Sequence, residues 1–386
     1  MKKVVIRAPL LSKSGYGVHS RQVFQYLLSQ SNLEVKTQIV PWGITPWSVN
    51  PDSYSGLAGE AERRTASETE KFDVSFQVQL PNEWDPNLAK INIGVTAGVE
   101  TDKCNPLWTS VHCSKMNHVI VPSQHTKNTL LTSGVTQTPI HVVPEAYFSE
   151  LLNEPKDLDL KLDTDFNFLT VGVLTGLTPD TDRKNLFYLI KWFVEVFKDD
   201  DDVGLIVKTN RGRESAIDRS VTERMIKQVL AEIGHRGTPK IYFLHGVMSR
   251  NDMNSLYRDN RVKAFISATR GEGFGLPFLE ASVAELPVIA TNWSAHTEFL
   301  CKGKWIKLDY DLCEIPSTRI DNNIFMAGSK WANPKEQSVK SALRKFRHSP
   351  RLPYTWAKDL SNKLKETNSI TAVMRNYDEA VGDILR

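Results

Sequence analysis

AFISATRGEGFGLPFLEA, residues 264–281, decides the fold of this chain. Ala264 to Ser267 form a short apolar run with the composition of a β-strand. From Leu276 to Ala284 the pattern is that of a helix. Between them, Gly271, Gly273 and Gly275 allow positive φ and let backbone approach a ligand closely. The block therefore reads as strand, glycine-rich turn and helix N-terminus, where unpaired N–H groups can receive an anion such as a diphosphate. Glu272 lies in the turn and Glu280 on the helix, so both can line one pocket, and a carboxylate accepts hydrogen bonds from a pair of hydroxyls. A bare glycine pattern would be only a tight turn. Two acids, three glycines and a proline within twelve residues point to a ligand site.

The same alternation extends to both sides. In the second half, apolar runs at Phe168–Val173, Gly204–Val207, Ile241–Leu244, Ala264–Ser267 and Val288–Ala290 predict strands. Helices are predicted over Leu186–Phe197, Val221–Ile233, Met253–Asp259 and Leu276–Ala284. In the first half, strands are predicted at 3–7, Val35–Val40, Val74–Val78, Ile91–Val95, His118–Val121 and His141–Val143. Helices are predicted over Ser20–Leu28 and Gln124–Leu131, the latter capped by Ser123. Strands alternating with helices imply parallel sheets. The stretch rich in Asp, Glu, Lys and Pro near 151–165 breaks the rhythm and reads as a linker. The expected organisation is α/β, with two Rossmann-like domains facing each other across a cleft. The expected bounds are 1–150 for an acceptor-binding domain, 151–165 for the linker and 166–365 for a donor-binding domain. A last helix, 366–386, is expected to pack back on the first domain.

A chain of 386 residues suits two such domains. Net charge is +3, and residues 1–150 carry 13 basic and 13 acidic side chains, so that half is neutral. The excess basicity lies in Lys340, Arg344, Lys345, Arg347 and Arg351. This run reads first as a solvated helix face and second as a patch for nucleic acid or a membrane surface. Cys104, Cys113, Cys301 and Cys313 have no CxxC spacing and read as free thiols in a reducing compartment. No apolar run is long enough to cross a membrane. The N-terminus reads as a first strand and not as a signal peptide, so a cytoplasmic protein is expected, in a host cytoplasm if the chain is phage-encoded.

The block Arg270–Ala281 resembles the E-x7-E signature of the retaining glycosyltransferases called glycosyl transferases group 1, which have the GT-B fold. The resemblance implies that Glu272 contacts the transferred sugar and that Glu280 holds the ribose of the donor. It also implies that the backbone of Gly273, Phe274, Gly275 and Leu276 approaches the sugar or phosphate. DRKNLFYLIKWF, from Asp182, resembles the family's RKN element, and GLIVKT, from Gly204, resembles a strand ending in lysine. Arg183 and Lys208 would then bind the donor diphosphate, whose developing charge fixed cations stabilise on departure. Taken alone, either side chain would read as surface charge.

In the first half, SGYGVHSRQ resembles the family's glycine loop after strand one, so Gly15 and Gly17 would open the cleft beside the donor phosphates and the acceptor. NIGVTAGVETDKCNPLW, from Asn92, resembles a segment of bacterial and phage-type members, with Val99 where those carry tryptophan. Glu100 is expected at the sugar or acceptor, against the equal alternative of a turn carboxylate. VIVPSQHTKNTLL, from Val119, resembles the family's VPS strand and helix. Many members carry an arginine after the first glycine of the second domain's opening strand. Here that pair is Gly172-Val173, which moves the phosphate role to Arg183. His19 and His125 are candidates for the family's first-domain histidine, and Trp42, Trp47 and Trp84 for stacking on a sugar or base.

What the resemblance implies is transfer of a hexose, with retained configuration, from a nucleotide sugar (a UDP- or GDP-hexose) to a hydroxyl. Such a reaction requires positioning and charge stabilisation more than a strong base, and no metal or further cofactor. Asp180 and Asp182, flanking Arg183, are the acidic pair to test for a metal. The acceptor is expected to be a glycan or lipid-linked sugar, or a hydroxymethylated base in DNA if the chain is phage-type. The alternatives are a nucleotide-sugar epimerase on the same fold and an inactive nucleotide-sugar-binding protein. A Rossmann dehydrogenase is disfavoured because the loop at Gly15 lacks GxGxxG.

Overall fold

Twelve of the strands form two parallel six-stranded sheets in a computed structural model that describes residues 1–386. Two compact units result. The first comprises Met1–Ala146, Asp321–Met326 and Ile370–Arg386, and the second Tyr147–Ile320 and Ala327–Ser369.

In the first unit, β1 (Lys2–Ala8), β2 (Leu33–Ile39), β3 (Phe72–Val78), β4 (Ala89–Val95), β5 (His118–Val121) and β6 (Ile140–Val142) pair in the order β2-β1-β3-β4-β5-β6. Every pairing is parallel. Helices α1 (Gly15–Leu28), α2 (Leu57–Arg63) and α3 (Gln124–Ser133) connect them. Ser123 caps α3 by accepting the Thr126 N–H, as its sequence predicts. Helix α1 starts five residues earlier than expected. Ser14 caps it through the Gly17 N–H, so the two glycines form its first turn and not a loop. A Cβ on Gly17 would lie 1.9 Å from the Ser12 carbonyl oxygen, and only glycine allows that approach.

In the second unit, β7 (Phe166–Val173), β8 (Val203–Asn210), β9 (Lys240–His245), β10 (Val262–Ser267), β11 (Val288–Thr291) and β12 (Ile306–Leu308) pair in the order β12-β11-β10-β7-β8-β9. All are parallel. Strand β8 is buried along all but its last residue, as expected of a central strand covered on both faces. Helices α4 (Leu186–Phe197), α5 (Ala216–Glu232), α6 (Arg250–Arg258), α7 (Leu276–Val283), α8 (His296–Leu300), α9 (Glu336–His348) and α10 (Arg351–Thr367) surround this sheet. An antiparallel hairpin, β13 (Tyr310–Glu314) and β14 (Lys330–Pro334), stands beside it.

Residues 151–165 lie within the second unit. In DLDLKLD the leucines at 158, 160 and 162 alternate with charged residues, and all three pack against the core around Phe265 and Phe278. The stretch is a docked strap, with a period of two that its charge concealed. The last helix, α11 (Ile370–Leu385), belongs to the first unit, where Val373, Tyr377, Val381 and Leu385 enter the core of β1 and β3. No helix is long and apolar enough to cross a membrane.

Candidate functional site

Strand order fixes where the second unit can bind a ligand. The chain runs β7 to β8 to β9 on one side, then returns to place β10, β11 and β12 on the other. The direction reverses between β7 and β10, which pair in parallel. In such sheets the loops at the carboxyl ends of the two switch strands part and leave a crevice. The loop after β7 carries Arg183 and Lys184, and the loop after β10 carries Glu272.

The first loop is organised by Asp182, which is fully buried. Its Oδ1 accepts the Thr175 N–H and hydroxyl, and its Oδ2 accepts the Leu186 N–H at the start of α4. Asp180 instead accepts the Tyr188 hydroxyl. The two acids therefore serve different partners. No group of three or more His, Cys, Asp or Glu side chains is placed to hold a metal ion. Asn185 closes the turn with φ of 56°. The stem of Lys184 crosses Gly172, where a Cβ would stand 3.5 Å away.

In the second loop, Lys184 Nζ donates to both carboxylate oxygens of Glu272 at 2.7 Å. The Thr269 hydroxyl donates at 2.7 Å, and Arg183 Nη1 stands 3.5 Å from Oε2 while donating to the Gly271 carbonyl. Burial pushes the Glu272 carboxyl up, but Lys184 and Arg183 outweigh it and hold it at about 2. Glu272 is thus a fixed anion, an acceptor of hydrogen bonds and not a proton donor. One carboxylate with two cations leaves the cluster net positive, which suits a phosphate-bearing ligand.

Loop geometry is set from the next strand. The Glu272 N–H donates to Ser294 Oγ at 2.9 Å, and Ser294 takes a positive φ of 77°. His296 is fully buried, stacks on Phe278 at 4.4 Å and holds the Thr291 carbonyl through Nε2. Burial pushes its pKa down to about 4, so it is neutral. Gly275 starts α7 at φ of 100°, and a Cβ there would meet the His296 Cβ at 2.9 Å. Gly273 and Phe274 are buried, and Phe274 packs on Phe299 at 5.4 Å between ring centres. Leu276 opens the helix, half-buried.

Glu280 is half-buried on α7 and accepts the Tyr257 hydroxyl at 2.9 Å. Burial raises its pKa to about 7, against the opposing pull of Tyr257 and Arg250. Lys208, near the end of β8, is buried and donates to the Gly246 carbonyl. Burial lowers its pKa to about 8, with Glu214 pulling the other way. It stands on the strand beside β7, and of the expected donor residues Arg183 and Glu272 are the two that meet. Val173, where many members of the family that the sequence resembles carry arginine, is exposed.

In the first unit, Gly15 is exposed with open space around it, while Gly17 is packed. Between them Tyr16 stacks on Trp42 at 3.8 Å, and its hydroxyl meets Thr96 Oγ1 and the Ala97 N–H. Burial raises the Tyr16 pKa, and Glu100 is half-buried. His19 is buried against the Tyr377 hydroxyl at 3.0 Å, a contact that secures α11, and burial lowers its pKa to about 4. His125 lies on α3, partly buried. Trp84 is core, against Gly94, and Trp47 is exposed.

Lys184, Thr269 and Ser294 were not among the expected site residues. Lys184 is adjacent to Arg183 in the RKN element, but the sequence does not show which of the two holds Glu272. Ser294 acts through an unusual backbone conformation that leaves no signal in its residue type. The basic run 340–351 is largely the solvated helix face expected first. Lys340 lies 2.5 Å from both Glu195 and Glu336, and Arg347 meets Asp200 and Asp202. Arg344, Lys345 and Arg351 are exposed. The run is a helix surface on which Lys340 and Arg347 have counter-charges while Arg344, Lys345 and Arg351 face solvent.

Residues 171–310 match the model of the family described as glycosyl transferases group 1, a span holding Arg183, Lys184, Lys208, Glu272 and Glu280. Among curated proteins, no sequence matches the chain. Solved structures share its fold. HepE from Anabaena, in complex with UDP and glucose, is 13% identical with a TM-score of 0.63, covering 99% of this chain and 100% of that one. Sucrose-phosphate synthase from Thermosynechococcus elongatus is 12% identical with a TM-score of 0.67, covering 100% and 99%. The E. coli trehalose-6-phosphate protein bound with UDP-2-fluoro glucose is 10% identical with a TM-score of 0.62, covering 99% and 98%. The fold is that of the GT-B glycosyltransferases.

Proposed function

We propose that this chain is a retaining glycosyltransferase that takes a hexose from a nucleoside-diphosphate donor, UDP or GDP, and attaches it to an acceptor hydroxyl. The observation that carries this reading is the Lys184–Glu272–Arg183 cluster at the switch point of the second sheet. A carboxylate held ionised accepts hydroxyls of the sugar. The adjacent cations oppose the charge that grows on the diphosphate as the glycosidic bond breaks. Glu280 takes the ribose hydroxyls, and Lys208 adds a cation to the diphosphate side. In a front-face reaction the leaving phosphate oxygen accepts the proton of the acceptor, so no strong protein base is needed. Glu100, in the first unit, is the residue we assign to the sugar or acceptor. The nucleotide-bearing complexes of proteins with this fold support a UDP donor over GDP.

For the acceptor, a glycan or lipid-linked sugar is the favoured reading. A DNA acceptor draws little support from the basic run, since Lys340 and Arg347 already serve intramolecular acids and only Arg344, Lys345 and Arg351 remain exposed, a small part of the cationic footprint that duplex binding requires.

The test is a thermal-shift screen against UDP, GDP, ADP and their common sugars. A ligand of the native state raises the melting temperature. A shift with one nucleotide, reduced in Lys184→Met, supports the reading. A well-folded sample that responds to none of them removes it.

A further inference from the structure

The acids at 272 and 280 are held in different ways. Glu272 meets Lys184, Arg183 and the Thr269 hydroxyl and stays ionised. The Glu280 carboxyl receives a single hydrogen bond, from the Tyr257 hydroxyl to Oε2 at 2.9 Å. Its Oε1 has no partner within the chain and is not sealed from solvent.

Tyr257 is placed by its helix. Ser249 caps α6 through the Asp252 N–H. The far end of α6 turns Leu256 and Tyr257 into the core with Phe265, Phe278 and Leu279. Tyr257 is 1% exposed, and a close-packed interior leaves its ring little freedom. The hydroxyl therefore has a fixed position, and Glu280 is its acceptor. A buried donor deprived of its acceptor is costly, so the contact is kept whether Glu280 is ionised or neutral.

A neutral carboxyl carries its hydrogen on one oxygen. Oε2 already faces the phenol hydrogen, which leaves Oε1 to take the proton. Neutral Glu280 thus presents an O–H donor at Oε1, and ionised Glu280 a charged acceptor at the same atom. Hydrogen bonds to an ionised acceptor are roughly twice as strong as neutral ones, so the ionised form holds a ribose hydroxyl better. Burial raises the Glu280 pKa to about 7, while Tyr257 and Arg250 pull it down. Arg250, also on α6, meets Glu150 at 3.4 Å. Of the other helices packed on α7, α8 brings His296, which is neutral, and α10 brings Lys365, paired with Glu285 past the helix end.

We propose that Tyr257 is a positioning residue of the donor site: by donating to Oε2 it confines the acid hydrogen of Glu280 to Oε1, the oxygen left for the ribose, and favours its release. The inference rests on the reading of Glu280 as the ribose-binding acid.

The experiment is calorimetric titration of the full chain with UDP and with GDP at pH 7 and pH 9. The proteins are wild type, Tyr257→Phe, Glu280→Gln and the double variant. Tyr257→Phe keeps the ring in the core and deletes only the hydroxyl. The ratio of wild-type to variant affinity cancels the ionisation of the nucleotide and of Lys208. Without the phenol donor Glu280 ionises about one pH unit higher, so the loss of affinity in Tyr257→Phe should be about fivefold greater at pH 7 than at pH 9. In the Glu280→Gln background the same substitution should act equally at both pH values. A packing role alone produces no such dependence on pH. An equal effect of Tyr257→Phe at pH 7 and pH 9, including no effect at either, overturns the inference and leaves the transferase reading standing. So does a pH-dependent loss that persists in the Glu280→Gln background. No binding of either nucleotide by wild type removes the transferase reading and this inference together.

Discussion

Lys184 Nζ stands 2.7 Å from both carboxylate oxygens of Glu272, though 88 residues separate the two in sequence. The pair exists because β7 and β10 are neighbours in the sheet while their connections depart in opposite directions. Neither residue is in the interior of a strand or helix. Each sits in a loop whose shape is enforced elsewhere, by Asp182 for one and by Ser294 and Gly275 for the other.

Removing Lys184 takes away the nearer of the two cations beside the buried Glu272 carboxylate, with Arg183 left at 3.5 Å. Lys184→Met is therefore expected to destabilise the second unit by about 3 kcal/mol and to lower nucleotide-sugar affinity at least tenfold. Adding Glu272→Gln removes the stranded carboxylate, so the double variant regains most of the stability but none of the affinity. Denaturant unfolding and donor titration of the three proteins read this directly. Equal stability of wild type and Lys184→Met would refute the account of the pair.

The sequence made the sheet order unreadable but the loops readable. The strand at 264–267, the glycines and the two acids were legible because each residue type matches its local conformation. The helix Leu186–Phe197 was legible because its apolar content is so high. What was hidden depends on distant partners. Lys184 and Arg183 are adjacent basic residues, and only the crossing of β7 and β10 shows which of them holds Glu272. The hairpin β13–β14 gives no signal in the sequence because Tyr310–Glu314 is mostly exposed and carries little apolar alternation. The stretch 151–165 reads as a linker in sequence because charge masks the period of its leucines.

Gly275 tests the backbone account. Its φ of 100° and the 2.9 Å approach of a Cβ to His296 make any side chain there strained. Gly275→Ala should cost about 1–3 kcal/mol and shift the loop that carries Glu272, reducing donor binding. Gly15→Ala, with open space around it and a helical position, should be neutral or slightly stabilising. Thermal unfolding of the pair separates a conformational requirement from mere glycine content. Similar melting temperatures for both variants would contradict it.

Lys208 gives a pH signature. Its pKa is lowered to about 8 from the usual value of lysine, so its positive charge is lost as pH rises through about 8. Donor affinity, if Lys208 faces the diphosphate, should fall across that range in wild type. Lys208→Arg keeps the charge at all these values and should flatten the profile. A wild-type profile that is level from pH 7 to 9 would remove Lys208 from the diphosphate site.

Glu280 couples stability and binding in opposite directions. Its folded pKa is raised to about 7 from an ordinary 4.5. The folded state therefore holds a proton that the unfolded chain releases, and the stability this supplies is present below 4.5 and lost as pH rises through 7. Glu280→Gln cannot ionise. At pH 8 the variant should be more stable than wild type by about 1–3 kcal/mol, and at pH 4.5 the difference should vanish. The same substitution should weaken nucleotide binding at pH 8, because an ionised carboxylate is the better acceptor for the ribose hydroxyls. A buried acid retained at a cost to stability is what a binding role would produce. Melting curves at the two pH values, with and without UDP, decide the matter. A variant that is more stable and binds UDP as well as wild type would leave Glu280 without a role in the site.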